Sequence, residues 1–143
     1  MQSAIETKII SLIKSYRRNV VIFHSDYIFD FEPIDLGVLL AQFIYSRKNY
    51  SKLPIQSIAF LNTYLSNAVS YHRTYGSILS ISNVGILFEK ELKINVISLF
   101  GSLSANNTLF IKYDGEIDGD ELYFLHKNTG IKLNIKELNC IAI

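Results

Sequence analysis

Four side chains in the segment that follows residue 23 have the chemistry to bind a metal ion. The segment carries one imidazole and three carboxylates: His24, Asp26, Asp30 and Glu32. His24 and Asp26 would share one face of an extended chain, because alternate side chains point the same way. No second histidine lies nearby, since His72 and His126 are far along the chain. We therefore interpret these residues as the polar end of a strand and its loop, with a metal site as the alternative.

A second group of carboxylates and a single thiol are the other reactive side chains. The carboxylates are Asp114, Glu116, Asp118, Asp120 and Glu121. They lack the twelve-residue calcium loop that ends in a bidentate glutamate, and the pairs Asp114-Gly115 and Asp118-Gly119 indicate tight turns. Cys140 lies in the apolar run 138–143, which favours a buried thiol over a nucleophile. A lone cysteine also fits a reducing cytosol.

Composition limits the class of protein. The chain has 143 residues, of which 49% are hydrophobic, and its formal net charge is +1. This length predicts a single domain over residues 1–143, with enough apolar residues for a sizeable core. The near-zero net charge favours neither nucleic acid nor acidic substrates. No apolar stretch is long enough to span a membrane, and we expect a cytoplasmic protein that needs no cofactor.

The first half of the chain is predicted to form three helices and one strand. Apolar residues at spacings of three and four predict helices over 2–15, 36–47 and 55–71. Ser3 and Asp35 are the expected N-caps of the first two helices, and Pro54 opens the third. The β-branched run 19–23 predicts a buried strand of a parallel or mixed sheet.

The second half is organised around a strand, loop, helix and strand. Residues 77–82 and 107–113 are predicted strands, and residues 91–103 between them are a predicted helix. Short strands are expected over 121–125 and 131–135, and a final strand over 138–143 should pair in the sheet. The predicted fold is therefore α/β, with a mainly parallel central sheet, helices on both faces and a short antiparallel C-terminal edge.

Such a unit is typical of nucleotide-binding domains, but the groups that handle phosphate are missing. In those domains the first strand feeds a glycine-rich loop whose backbone N–H groups and lysine hold the phosphates. Here residues 24–33 contain neither glycine nor lysine, and Tyr27, Phe29 and Phe31 alternate with other side chains. The strand 77–82 carries Ser80 and Ser82 where an acidic residue would handle metal and water.

The chain resembles a known family over residues 77–122. Its motif Ser82-Asn-Val-Gly85-Ile-Leu-Phe-Glu89 and its later segment Asn106-Asn-Thr108 with Asp114-Gly115 resemble those of BrxF, the small P-loop-containing protein of bacteriophage-exclusion (BREX) defence systems. The start of the second helix at Asp35-Leu-Gly37 fits that family as well. The resemblance implies a minimal, degenerate P-loop NTPase-like domain.

The departures from the family define a set of degenerate motif positions: His24, Ser82, Asn83 and Gly85. The two acids of the family's second motif fall on Ser82 and Gly85, and the phosphate-binding loop is absent after Phe23. The resemblance thus implies a non-catalytic scaffold or regulatory subunit of a multi-protein bacterial anti-phage system. The alternatives are an ATPase-like subunit with an atypical phosphate loop, and a small nucleic-acid-binding module that uses the basic residues Arg17, Arg18, Arg47, Lys48 and Lys52.

Tyrosines provide the candidate contact surface for such a scaffold. The chain contains 9 tyrosines, and tyrosine is enriched in protein interfaces. Those at predicted helix ends and loops are Tyr45, Tyr50, Tyr64, Tyr71 and Tyr75. We expect them to contact other defence proteins or a second copy of the chain, while the alternative is that their rings simply cover the core.

Overall fold

The computed structural model describes residues 3–46, 51–113, 115–124 and 132–143. Within these residues the helices are α1 (Ala4–Tyr16), α2 (Leu36–Tyr45), α3 (Leu53–Asn67) and α4 (Val96–Leu103). The strands are β1 (Val20–His24), β2 (Ile34–Asp35), β3 (Ser70–His72), β4 (Gly76–Ser82), β5 (Thr108–Lys112), β6 (Gly115–Asp118), β7 (Glu121–Phe124), β8 (Lys132–Asn134) and β9 (Asn139–Ala142). None of the described helices is long and apolar enough to cross a membrane.

The central sheet is mainly parallel, as the sequence predicts. Its strands follow the order β2-β4-β5-β1-β9, and each neighbouring pair in this order is parallel. Strand β3 adds an antiparallel pairing to the first residues of β4. The apolar runs that predicted strands at 19–23, 77–82 and 107–113 are therefore the three inner strands, which is why they are apolar on both faces.

Each face of the sheet is covered by a different set of elements. Val21, Leu79 and Leu109 point to the face that packs against α2, α3 and α4, in a core that includes Leu40, Leu61 and Phe100. On the opposite face Ile22, Ile78 and Phe110 pack with Ile9 of α1. The predicted placement of helices on both faces is confirmed.

Local capping explains where the helices begin. The Ser3 hydroxyl accepts a hydrogen bond from the backbone N–H of Glu6 at 3.1 Å, and Asp35 accepts one from the N–H of Val38 at 2.9 Å. Both side chains satisfy N–H groups that a helix start leaves without a partner. Pro54 lies in the first turn of α3, where its missing N–H is tolerated.

Two predicted helix boundaries are wrong, and each has a local cause. The helix predicted over 91–103 starts only at Val96, because Lys93 adopts a left-handed conformation and Asn95 caps the new start; two 3₁₀ turns, Val84–Phe88 and Lys90–Leu92, precede it. The helix predicted to reach residue 71 ends at Asn67, because β3 then pairs with β4.

The antiparallel strands that the sequence predicts near the C-terminal end are present, but they are not an edge of the central sheet. Strands β6, β7 and β8 form a separate three-stranded antiparallel sheet and do not extend the central one. This small sheet packs its Leu122 into the core beside α2 to α4. The final strand, β9, instead joins the central sheet next to β1, as the sequence predicts.

Candidate functional site

Polar side chains form a row across the carboxyl ends of the parallel strands. In register, Asp35 of β2 is next to Ser82 of β4, Ser82 is next to Lys112 of β5, and Lys112 is next to His24 of β1. Ligands of open α/β sheets bind at this edge. His24 and Ser82 thus lie at the same edge of the sheet, with Lys112 between them, so that two strand spacings of about 9 to 10 Å in total separate them.

The segment that leads away from this row is an aromatic strap, which we define as Tyr27–Phe31. The Phe29 and Phe31 rings stack on each other at 5.0 Å, and both meet the ring of Phe110 edge-on, at 5.0 and 4.9 Å. Tyr27 contacts Phe29 at 4.6 Å. The strap forms no strand, but its alternation is as predicted, since Ile28 and Asp30 between the rings are exposed.

A histidine fixes the far side of the strap. The Nδ1 atom of His72 accepts a hydrogen bond from the backbone N–H of Thr74 at 3.1 Å, so its Nε2 carries the proton and donates to the Asp30 carboxylate at 2.8 Å. The His72 ring also stacks on Tyr75 at 4.8 Å. The bond from His72 lowers the pKa of Asp30 below its ordinary value. The strap is therefore held on one side by packing of its rings onto Phe110 and on the other side by the hydrogen bond between His72 and Asp30.

His24 lies under the strap and is inaccessible to substrate. The residue is 5% exposed, its ring meets that of Phe29 at 4.9 Å, and neither ring nitrogen has a hydrogen-bond partner in the described chain. Burial, followed by the nearby charge of Lys112, lowers the pKa of His24 to about 4. The backbone of Tyr27 raises the pKa of His24 and so opposes this shift, although no hydrogen bond of ordinary geometry joins the two residues. The imidazole is consequently neutral at physiological pH.

The structure does not assemble the four side chains that suggested a metal site. Asp26, Asp30 and Glu32 are exposed, whereas His24 is buried under the strap. Across the described residues, no three His, Cys, Asp or Glu side chains lie close enough to hold a metal ion. The second group is also dispersed: Glu116 and Asp118 lie in β6, and Asp120 lies in the turn that follows. Glu121 of β7 accepts a hydrogen bond from the Tyr123 hydroxyl at 2.7 Å, and Asp114 lies outside the described residues.

Of the degenerate motif positions, Asn83 has a structural role and Gly85 has none that requires glycine. Asn83 is left-handed and donates its side-chain N–H to Asp35 at 3.0 Å. A Cβ on Gly37 would lie 2.1 Å from that amide nitrogen, so a larger residue would have to displace the Asn83 side chain. Gly85 is exposed, and a Cβ there would meet nothing within 4 Å.

Ser80 lies in β4 two residues before Ser82 of the polar row. Its side chain therefore points to the same face of the sheet as that of Ser82, the face on which the strap lies. Its register neighbour on β5 is Phe110, and its hydroxyl is buried with no hydrogen-bond partner among the described residues. Ser80 is 7% exposed, so its hydroxyl is not presented at the open edge of the sheet. A buried hydroxyl of this kind cannot replace an acidic residue that orients water.

The predicted tyrosine surface is retained in part. Tyr45, Tyr71 and Tyr64 are 90%, 80% and 43% exposed. Tyr75 is only 6% exposed and belongs to the core on the α1 face, so it is not available as a contact residue. Burial raises the pKa of its hydroxyl to about 12. Tyr50 lies outside the described residues.

The exposed face of α3 carries an open groove that the sequence did not indicate. The groove has a volume of about 490 Å³ and is lined by Phe60, Thr63, Tyr64, Asn67 and Ala68. Phe60 also stacks on Phe43 of α2 at 4.3 Å and lies 5.8 Å from the Tyr64 ring. The signal in the sequence was the pair of rings four residues apart, which share one face of a helix. We refer to this feature as the α3 groove.

The basic residues of the nucleic-acid alternative do not form one patch. Arg17 and Arg18 lie just before β1, at the amino-end edge of the parallel sheet. Lys52 precedes α3, whose Pro54 and Ile58 line a pocket with Lys93, beyond the carboxyl end of β4. Arg47 and Lys48 lie outside the described residues. The described cations are therefore divided between opposite edges of the sheet.

Comparisons of this chain with protein-family models, with curated proteins and with solved structures find no match.

Proposed function

We propose that this chain is a non-catalytic scaffold or regulatory subunit that acts through protein contacts, and that it serves a bacterial anti-phage defence system of the BREX type. The setting is the one implied by the sequence resemblance to BrxF. The mode of action is supported by the aromatic strap, because this segment occupies the path on which a nucleotide-binding domain would carry its phosphate loop.

The strap supports this proposal for a physical reason. A phosphate loop presents several backbone N–H groups around an open cavity. In this chain Phe29 and Phe31 pack onto Phe110 instead, and the ring of Phe29 covers His24. Opening the strap would expose these rings to water, which costs a free energy of about 25 cal/mol for each Å² of apolar surface exposed. The packed strap is thus more consistent with a scaffold than with a triphosphate site.

The α3 groove is the proposed contact site for the partner protein. Its aromatic floor and polar rim, Phe60 and Tyr64 against Thr63 and Asn67, have the composition of an interface anchor. An aliphatic or aromatic side chain of another protein would fill the space beside Tyr64. The strongly exposed Tyr45 and Tyr71 add further surface on α2 and β3.

A nucleotide-binding role is the second candidate, and Lys112 is the observation that favours it. This lysine is exposed and lies in the polar row at the carboxyl edge of the sheet. A phosphate that docks there would require no opening of the strap. If this candidate is correct, a Lys112→Ala substitution should abolish function, whereas a scaffold should tolerate it.

The proposal is tested in the native host by deleting the gene and complementing it with variants. We expect deletion to raise phage plating efficiency, and wild type, Lys112→Ala and Tyr16→Asp to restore protection. Tyr64→Asp, which places a charge in the α3 groove, should fail to do so. Tyr16 is the matched control because it is an exposed tyrosine on α1. Unchanged plating on deletion would refute the defence setting.

Affinity purification of the tagged chain separates the contact from the setting. We expect the products of neighbouring genes to co-purify with wild type and with Tyr16→Asp, and to be lost with Tyr64→Asp. Recovery of the same proteins with Tyr64→Asp would refute the α3 groove as the contact site. Recovery of no partner at all would refute the scaffold role.

A further inference from the structure

The outer edge of β9 carries backbone groups that nothing in the described chain satisfies. Asn139 and Ile143 donate their N–H groups to Asn19 and Phe23 on the β1 side, both at 2.9 Å. Because alternate residues of a strand point to opposite neighbours, Cys140 and Ala142 direct their N–H and C=O groups away from β1. Strand β9 is the end of the sheet order, so no described strand pairs with those groups.

The sequence of this edge lacks the residue types that prevent edge-to-edge pairing. Residues 138–143 include no charged residue, no proline and no glycine, whereas natural edges are usually blunted by charges, prolines or bulges. The opposite edge of the sheet does have such features. It is divided between β2, with only two residues and the charged Asp35, and β3, which is followed by Arg73.

Helix α1 lies beside this edge and is incompletely buried. Only Ile9 of its apolar residues is fully buried, while Ile5, Leu12 and Ile13 are partly exposed. These side chains belong to the same core cluster as Ile141 of β9 and Ile143, the residue that follows this strand. The open edge and the half-covered helix therefore form one continuous apolar surface.

We propose that two copies of this chain pair antiparallel through β9, about a two-fold axis that passes beside Ile141. In this register Cys140 of each copy lies opposite Ala142 of the other, and the two residues exchange their outward N–H and C=O groups. All four hydrogen bonds of the edge are then formed, and Ile141 faces its own counterpart as a non-hydrogen-bonded pair. The central sheet would continue across both copies.

The choice of a second copy rests on self-complementarity. A two-fold interface must bring one surface patch against itself. An uncharged strand allows this without like-charge opposition, and registers centred on Cys140 or Ala142 would satisfy fewer outward groups than the one centred on Ile141. The two-fold also brings the half-covered apolar strips of both α1 helices to the same side of the continued sheet. This proposal is independent of the proposed function, since it concerns the purified chain alone and a different surface.

Site-specific disulfide formation tests the register. In the C140S/I141C variant the only thiol lies on the two-fold, where paired Cα atoms are about 4.5 Å apart and within disulfide reach. The control is C140S/I143C, whose thiol is on the same face but opposite Asn139 of the second copy. We expect the first variant to form a covalent dimer on mild oxidation and the control to remain uncrosslinked. Equal crosslinking of both variants would overturn the register.

Light scattering on the purified chain tests the pairing itself. We expect wild type to show twice the chain mass of 16.3 kDa, and Ala142→Pro to be monomeric because proline removes an outward N–H. The bond pattern to β1 is untouched by this change, since proline is tolerated on an edge strand where its nitrogen faces solvent. Ala142→Ser keeps the donor and should remain dimeric. Circular dichroism confirms that each variant is folded. A monomeric wild type would overturn the proposal and leave the edge open for an extended peptide of another protein.

Discussion

The Asn83 side chain donates a hydrogen bond of 3.0 Å to the same Asp35 oxygen that caps helix α2. This contact ties the end of β4 to the start of α2, two elements that are 48 residues apart along the chain. The N–H of Val38, followed by the Asn83 amide, lowers the pKa of Asp35. A position that resembles a catalytic motif in sequence therefore acts as a structural connection in the fold.

The first prediction concerns the close approach of Asn83 to Gly37. Alanine favours a helix over glycine by about 1 kcal/mol, but in wild type its Cβ would displace the Asn83 amide. We expect Gly37→Ala to gain this stability only in an Asn83→Gly background, where glycine keeps the left-handed backbone and leaves the space empty. Urea unfolding of the two single variants and the double variant measures the coupling. Additive free energies of unfolding would contradict the contact.

The second prediction concerns the strap. Phe29→Ala removes a ring that contacts His24, Phe31 and Phe110, and we expect it to lower the free energy of unfolding by about 2 to 3 kcal/mol. Its neighbour Ile28 is strongly exposed, so Ile28→Ala should change stability by less than about 0.5 kcal/mol. Equal losses for both variants in chemical denaturation would show that the strap is not packed on the sheet.

The central sheet was predictable because burial on both faces leaves a strong signal. The runs around Ile22 and Phe110 are apolar without alternation, which is typical of strands buried on both faces of a parallel sheet. The caps were also readable, because Ser3 and Asp35 each precede an apolar periodicity that their side chains can serve locally. These signals depend on neighbours along the chain and not on distant contacts.

Other features of the fold depend on tertiary contacts, and the amino-acid sequence gives little indication of them. Tyr71 lies in a helical pattern, but pairing with Ser77 on β4 places it in a strand instead. Tyr75 and Tyr71 are the same residue type in similar contexts, yet only the former is covered, by Phe29, Phe31 and Phe110. The strap illustrates the same limit, because its alternation was visible while the sheet face that receives its rings was not.

The third prediction is that the isolated chain binds ATP negligibly. The strap leaves no phosphate loop after β1, and Ser80 within β4 is buried. Isothermal calorimetry with ATP and Mg²⁺ should therefore detect no complex in the micromolar range. Lys112→Ala is the matched variant for this measurement. Micromolar binding that disappears with Lys112→Ala would favour the nucleotide-binding candidate over the scaffold.

The fourth prediction is that duplex DNA binds weakly and without sequence preference. The formal net charge is only +1, and the described cations Arg17 and Lys52 belong to opposite edges of the sheet. Few phosphates can thus be neutralised at one time, and any complex should dissociate as salt rises to about 200 mM. Fluorescence anisotropy at several salt concentrations checks this. A nanomolar complex that persists at that salt would favour the nucleic-acid module.

The fifth prediction is a loss of stability on acidification that originates in His24. The pKa of this buried imidazole is about 4 in the folded chain, against an ordinary value of 6.5. Above pH 6.5 the imidazole is neutral in both the folded and the unfolded chain, so its titration does not change the free energy of unfolding there. Between these two pH values the unfolded chain binds a proton that the folded chain does not, and stability falls as the pH is lowered. The expected loss is about 2 kcal/mol between pH 7 and about pH 5.

A substitution at His24 isolates this contribution from that of the carboxylates. Asp30, Asp35 and Glu121 have lowered pKa values, so their stabilising effect is lost only as the pH falls below their ordinary values of 3.8 to 4.5. His24→Leu should therefore give nearly constant stability from pH 7 to about pH 5. It should also be at least as stable as wild type at pH 7, because it removes two ring nitrogens that are buried without partners.

Phe29→Ala provides the converse test. Without the ring that covers it, His24 is hydrated and its pKa in the folded chain moves back toward 6.5. The free energy of unfolding should then depend less steeply on pH. Urea unfolding of the three proteins across this pH range measures all three slopes. If His24→Leu keeps the wild-type slope, the pH dependence arises elsewhere and the imidazole is not held neutral by the strap.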